Sequence, residues 1–154
     1  MTVWRLDALR PSDLDQVLEI ETDSFACPWG RRSLEDELNG PGAGSFVIRE
    51  PGSAAVAAYI FFRRLAEEVH IYRIAVAAAW RRRGMGAQLV QACLQTAGRD
   101  GARVALLEVR PSNTEAVALY NRFGFRVIAK RPAYYPDRRE DALILQRELE
   151  KEEL

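Results

Sequence analysis

The segment Arg81-Arg82-Arg83-Gly84-Met85-Gly86-Ala87 stands between a strand-like run, His70 to Val76, and an amphipathic helix, and it constrains the chain more than any other stretch. The helix is predicted from near Gly84, because Leu89, Val90, Cys93, Leu94 and Ala97 fall on one face. The amides of its first turn then have no partner within the helix. The positive end of the macrodipole points outward with them, and Gly84 and Gly86 let an anion such as a diphosphate approach the main chain. Arg81, Arg82 and Arg83 add charge suited to bidentate contact with phosphate oxygens. The same residues also suit a plain glycine turn before a surface helix with solvated arginines, and spacing alone does not separate the two. No Gly-Lys-Ser/Thr closes the segment as in a nucleoside-triphosphate loop. A dinucleotide fingerprint needs three glycines spaced GxGxxG and an acidic residue about 20 positions on.

A chain of 154 residues is long enough to bury a core and is read as one domain, residues 1–154. Lys+Arg and Asp+Glu balance at 22 each, so no global field favours nucleic acid, and any binding charge must be local. The longest apolar stretches, near Ala54 to Phe62, are too short to span a bilayer. Met1 to Arg5 carry no signal-peptide core, and the expectation is a cytoplasmic protein with no membrane contact. Two cysteines, Cys27 and Cys93, and one histidine, His70, argue against a disulfide framework or a metal site.

Alternation makes Val3 to Leu9 a short strand, and Pro11-Ser12-Asp13 opens a helix with Leu14, Val17, Leu18 and Ile20 inward. A second short helix is predicted around Arg31 to Leu38, ended by Asn39-Gly40-Pro41-Gly42. Strands at Ser45 to Arg49, Ala54 to Arg63 and Glu68 to Val76, joined by short turns, form an antiparallel meander. The helix from Gly84 to Arg99 leads to a buried strand, Val104 to Val109, which a crossover of this length places parallel to the preceding strand. A helix from about Asn113 to Phe123 ends at Gly124, and Phe125 to Lys130 with Ala142 to Leu149 closes the sheet as an antiparallel pair. The tail Glu148 to Leu154 reads as solvated. The result is a mixed α+β sheet whose ligands should gather at the carboxyl ends of the central parallel pair, with the glycine segment and the end of Val104 to Val109 facing one crevice.

Glu108 interrupts an apolar strand near its end, where a carboxylate costs free energy unless paired or solvated. It is either the partner of Arg110, Arg103 or a neighbouring strand, or a general base at the crevice. Tyr120 is core packing or a proton donor, and Asn113 is an N-cap that could also touch a ligand.

Arg81 to Gly86 fits the (Gln/Arg)-x-x-Gly-x-(Gly/Ala) motif, and the chain resembles the GNAT acetyltransferases over nearly its whole length. Leu107-Glu108-Val109-Arg110-Pro111-Ser112-Asn113, Ala118-Leu119-Tyr120 and Gly124-Phe125 are similar to the RimI type, alanine N-acetyltransferases acting on the N-terminus of ribosomal protein S18. So are Phe25-Ala26-Cys27-Pro28-Trp29, Arg73-Ile74-Ala75-Val76, and Tyr134-Tyr135-Pro136 with Arg139-Glu140-Asp141-Ala142.

The resemblance implies a GNAT fold with about seven strands, a splayed parallel central pair and about four helices. It implies that acetyl-CoA binds with its pyrophosphate on the amides of Arg82, Arg83, Gly84, Met85, Gly86 and Ala87, with Arg81 nearby and the pantetheine beside Ile74, Ala75 and Val76. A free strand amide, such as that of Val76, would polarise the thioester carbonyl, and Asn113 would contact the cofactor. Glu108, directly or through water, would take the proton of a peptide α-ammonium, whose reference pKa is about 8. Tyr120 would protonate the departing thiolate after direct attack in a ternary complex.

The acceptor would lie between the loop of Phe25, Pro28 and Trp29 and the loop Tyr134 to Asp137, with Arg73 and Tyr135 among its contacts; lid packing is the other use of these aromatics. Arg73 stands where the resemblance leads one to expect a polar Asn, and Ala77-Ala78-Ala79 lacks the proline often found in that turn. The first departure bears on acceptor preference. A lysine or small-amine acetyltransferase and a non-catalytic acyl-CoA-binding module are the competing readings, and the presence of both Glu108 and Tyr120 argues against the second. Oligomeric state has no signature in the sequence.

Overall fold

A computed structural model describes residues 3–137 and 139–150; the first two residues of the N-terminal stretch and residues 151–154 of the tail lie outside it. In chain order the elements are β1 (Arg5–Ala8), α1 (Leu14–Ser24), α2 (Arg31–Asn39), β2 (Ala43–Arg49), β3 (Val56–Leu65), β4 (Glu68–Val76), α3 (Met85–Arg99), β5 (Val104–Val109), α4 (Thr114–Arg122), β6 (Arg126–Tyr135) and β7 (Glu140–Glu148). The strands hydrogen-bond in the order β1-β2-β3-β4-β5-β7-β6. β1 with β2, β2 with β3, β5 with β7 and β6 with β7 are antiparallel, whereas β4 and β5 are parallel. The mixed α+β sheet of seven strands and four α-helices is thus the expected GNAT architecture. The β4–β5 ladder runs from Glu68↔Val104 to Ile71↔Leu107 and stops, although β4 continues to Val76 and β5 to Val109, which is the expected splay.

Two compact units emerge from the backbone, each made of interleaved segments: Met1–Arg63 with Arg73–Cys93, and Arg64–Tyr72 with Leu94–Leu154. The first is built on β3, whose Val56 to Phe62 run is buried at every position, so it reads as continuously apolar rather than alternating. Leu14, Val17 and Ile20 of α1 and Leu34 of α2 pack with Val47, Val56, Tyr59, Phe61 and Ala75, each Leu, Ile, Val or Phe side chain among them contributing roughly 1.5–3 kcal/mol by leaving water. Leu18 packs against this cluster only part-buried. A 3-10 turn, Pro11–Asp13, precedes α1, and the Asp13 carboxylate accepts the Arg10 amide at 2.9 Å. Arg49 on β2 anchors that turn with a bidentate pair to Asp13 at 2.8 and 2.9 Å and a further bond to Asp7 at 2.9 Å.

In the second unit Ala105, Leu107, Val109, Tyr120, Phe125, Ala142, Leu145 and Leu149 are buried. The reading of Val104 to Val109 as a buried strand needs correction. Ala105, Leu107 and Val109 are buried, but Val104, Leu106 and Glu108 on the other face are only partly so. The final pair is antiparallel as expected, yet β7 pairs with β5 and leaves β6 at the edge. The physical reason is apolar content: β7 buries Ala142 and Leu145, while β6 is exposed along almost its whole length. That strand also runs further than expected, so Tyr134 and Tyr135 stand at its end rather than in a loop.

Candidate active site

In the first unit β4 ends at Val76, and the Ala77 amide bonds the Ala57 carbonyl at 2.8 Å, which fixes where the chain leaves the sheet. After a 3-10 turn, Ala78–Trp80, Arg81 turns back: its Nε donates to the Val76 carbonyl at 3.0 Å and its Nη2 to the Ser24 hydroxyl at 3.3 Å. Arg81 therefore braces the strand end instead of simply projecting its fork outward. Arg82 and Gly84 both take left-handed conformations, with φ of 65° and 78°. Left-handed residues inserted into a turn are how a chain forms an anion-binding concavity. Gly84 accepts the first helical bond from Gln88 at 3.1 Å, and a Cβ at Gly84 would meet nothing within 4 Å, so the main chain there is open to approach. The α3 start leaves the amides of Met85, Gly86 and Ala87 without intrahelical partners by its geometry. The Arg83 guanidinium lies 4.9 Å from the Trp80 ring. These residues fit a pyrophosphate in charge, in amide supply and in openness.

The same unit holds the Phe25 to Trp29 loop through a network that the sequence did not advertise. Glu21 on α1 is 0% exposed, and its carboxylate accepts the Tyr59 hydroxyl at 2.6 Å, the Trp29 amide at 2.8 Å and Arg73 Nη2 at 2.6 Å. Arg73 also donates to the Cys27 carbonyl at 3.0 Å, and its guanidinium sits 3.8 Å from the Phe25 ring centroid and 4.8 Å from that of Trp29. Burial first, then the Glu21 charge, pushes the Tyr59 phenol far above its ordinary range. Glu21 and Tyr59 were findable only as a glutamate on an apolar helix face and a tyrosine in an apolar strand. Pro28 lies within the clamped loop.

In the second unit Glu108 meets His70. The parallel register sets His70 beside Leu106, so residues 70, 106 and 108 share the less buried face, and His70 Nε2 lies 2.6 Å from Glu108 Oε2. Of the partners considered from sequence, a neighbouring strand supplies the one found, through a histidine. The His70 hydrogen bond holds the Glu108 carboxyl below its usual range despite partial burial, with Arg131 adding to the effect. Glu108 is therefore ionised at neutral pH. Arg110 instead donates to Asp137 at 2.7 Å and to Glu140 at 3.5 Å, and lies 4.1 Å from the Tyr135 ring.

Tyr120 is 4% exposed and positioned by the end of α4. Phe125 donates its amide to the Tyr120 carbonyl at 3.1 Å and Gly124 to that of Asn121 at 3.0 Å, a Schellman ending with Gly124 at φ 82°. The accompanying apolar contact sets the Tyr120 and Phe125 rings 5.6 Å apart, edge to face. Asn113 caps α4, its Oδ1 accepting the Ala116 amide at 3.2 Å. Glu140 ties the approach to that cap down by accepting both the Ser112 amide at 2.8 Å and the Ser112 hydroxyl at 2.9 Å. Tyr134 and Tyr135 stand edge to face at 5.0 Å, and burial, then its neighbour Tyr134, pushes the Tyr135 phenol up to about 12. A left-handed residue just before them, Ala133 at φ 51°, breaks the β6 register and aims the pair. Ile74, Ala75 and Val76 lie on β4 past the last β5 pairing. Among the described residues no three His, Cys, Asp or Glu side chains gather as a metal site, and no helix is long and apolar enough to cross a membrane.

The acetyltransferase (GNAT) family matches residues 14–125. The [ribosomal protein bS18]-alanine N-acetyltransferase of Escherichia coli (strain K12) is 31% identical over 142 residues, 91% of this chain and 94% of that protein. A Bacillus subtilis (strain 168) protein to which the same activity is provisionally assigned is 36% identical over 138 residues, 89% of this chain and 90% of that one. The crystal structure of the ribosomal-protein-S18-alanine N-acetyltransferase from Escherichia coli superposes with a TM-score of 0.87 at 28% identity, covering 96% of this chain and 94% of that one.

Proposed function

The chain belongs to the acetyltransferase (GNAT) family, whose cosubstrate is acetyl-CoA, and on that premise we propose that it acetylates the α-amine of a protein N-terminus, the N-terminal alanine of ribosomal protein bS18. Such an acceptor is met in the cytoplasm. The observation that carries the reading is Glu108, an ionised carboxylate kept on the half-open face of an otherwise apolar strand and aimed by a hydrogen bond. A side chain with no task beyond packing would be expected to be apolar there.

Acetyl-CoA supplies an activated thioester. The amides of Arg82 to Ala87 and the neighbouring guanidinium charge would hold its pyrophosphate, Ile74, Ala75 and Val76 would flank the pantetheine, and Asn113 would donate from Nδ2 while its Oδ1 caps α4. The Val76 amide would act as oxyanion donor, with Arg81 on the Val76 carbonyl bracing the next peptide unit, Val76–Ala77. Glu108 would take the α-ammonium proton. Even at the reference values of about 4.3 for a Glu carboxyl and about 8 for an α-amine that transfer is uphill by roughly 4 pKa units, about 5 kcal/mol, and the His70 hydrogen bond that lowers Glu108 steepens it, so a water that passes the proton onward suits this carboxylate better than lasting protonation. Tyr120 would give its phenolic proton to the departing sulfur in a ternary complex. Phe25, Pro28, Trp29, Arg73, Tyr134 and Tyr135 would border the acceptor, with Arg73 acting by shaping the Phe25 to Trp29 loop.

The test is incubation with acetyl-CoA and two peptides, one bearing the free bS18 N-terminus and one N-blocked with an internal lysine. Acetyl gain on the α-amine of the first alone is expected. Turnover restricted to the lysine peptide, or none on any free N-terminus, overturns the reading.

A further inference from the structure

We propose that His70 is the positioning residue of the proton acceptor: its Nε2–H holds Glu108 Oε2 and leaves the other carboxylate oxygen for the amine or its water. The inference rests on the reading of Glu108 as base. The side chains are 2.6 Å apart and lie on adjacent parallel strands, with 28% of the His70 side chain and 16% of that of Glu108 in solvent. His70 is itself held flat against Tyr72, with ring centroids 4.5 Å apart and planes 5° from parallel. That stack favours this setting of the imidazole, so the hydrogen bond is directed from a preferred ring orientation. It is the only histidine in the chain, and among the described residues no metal-site cluster claims it.

The hydrogen bond orients the carboxylate and orders one of its oxygens, which serves a base that must meet an amine in a defined direction. Among the described residues, Tyr72 on β4 and Arg131 and Tyr135 on β6 also face the pair.

The test uses the full-length enzyme, the bS18 N-terminal peptide and the variants His70→Leu, His70→Gln and Glu108→Gln. His70→Leu is expected to lower kcat roughly tenfold with the KM for acetyl-CoA unchanged, a part of the about 10²–10⁴ that a positioned base supplies. His70→Gln, which keeps an amide donor, is expected to regain most of that loss.

A Glu108→Gln loss alongside an undiminished His70→Leu rate overturns the role of His70 and leaves the proposed function standing. An undiminished Glu108→Gln rate overturns both residue roles. A readout free of turnover completes the set: the imidazole nitrogen signals of ¹⁵N-labelled protein, unambiguous for a lone histidine, are expected to report the Nε2–H form. A ring protonated only at Nδ1 overturns the proposal whatever the acceptor.

Discussion

Arg73 shows at the scale of one residue how far a side chain's identity is from its use. As a cation beside aromatic residues it reads as a substrate contact, yet its guanidinium is engaged by buried Glu21, by the Cys27 carbonyl and by the faces of Phe25 and Trp29. Removing it leaves a carboxylate that is 0% exposed without its charge partner. Arg73→Leu is therefore expected to cost about 3–5 kcal/mol in urea unfolding at pH 7, and Tyr59→Phe, which removes one hydrogen bond to the same carboxylate, about 1–3 kcal/mol. A change below about 1 kcal/mol for Arg73→Leu would mean that the network does not hold a charged Glu21. Pairings of this kind were not legible in the sequence: residues 21, 59 and 73 lie on three elements and meet only when those elements pack.

At the scale of elements, the start of α3 matched its sequence signal closely. The glycine pattern and the apolar face placed the helix within a residue of Met85, because both signals are local. Two left-handed residues, which no pattern distinguishes beforehand, form the turn. They differ in cost: Gly84 adopts φ 78° freely, whereas Arg82 at φ 65° carries strain of roughly 1–2 kcal/mol. Gly84→Ala is expected to lower the stability of the ligand-free protein by about 1 kcal/mol even though its Cβ meets no atom within 4 Å. Arg82→Gly should leave thermal stability unchanged or raised while weakening acetyl-CoA binding in calorimetry. Loss of stability in Arg82→Gly would show that the strain is outweighed by the contacts of that side chain. The β5 helix-to-strand bounds were equally legible, but its half-open face was not, since what covers a strand is decided by elements distant in sequence.

At the scale of the molecule, a net charge of zero built from 22 cations and 22 anions becomes strongly positive once carboxylates are protonated. Burial pushes the Asp13 carboxyl up, but the Arg49 pair and the Arg10 amide outweigh it and hold the group below its usual range; Arg49 likewise lowers Asp7. A folded-state value below the unfolded one contributes stability above the unfolded pKa, near 4, and that contribution is lost as pH falls through the folded one. The urea midpoint is expected to fall between pH 6 and pH 3, and Arg49→Met should be less stable at pH 6 and show a shallower fall. An equally steep acid limb in Arg49→Met would assign the effect to other carboxylates.

The sequence by itself determined the element order, the parallel β4–β5 crossover, the helix start at the glycine segment, the Asn113 cap and the Gly124 ending, because each depends on periodicity or on backbone chemistry within a few residues. It also contained the motif resemblance that led to the family. Only the tertiary structure decided that β7 lies inside β6, that Arg73 and Tyr59 both close on Glu21, and that the lone histidine stands against Glu108. These are long-range pairings, 38 and 52 residues apart for His70–Glu108 and Arg73–Glu21. Which charged or polar side chains share a face is set by strand register and by how well apolar surface is covered, and neither quantity is carried by any local stretch of chain.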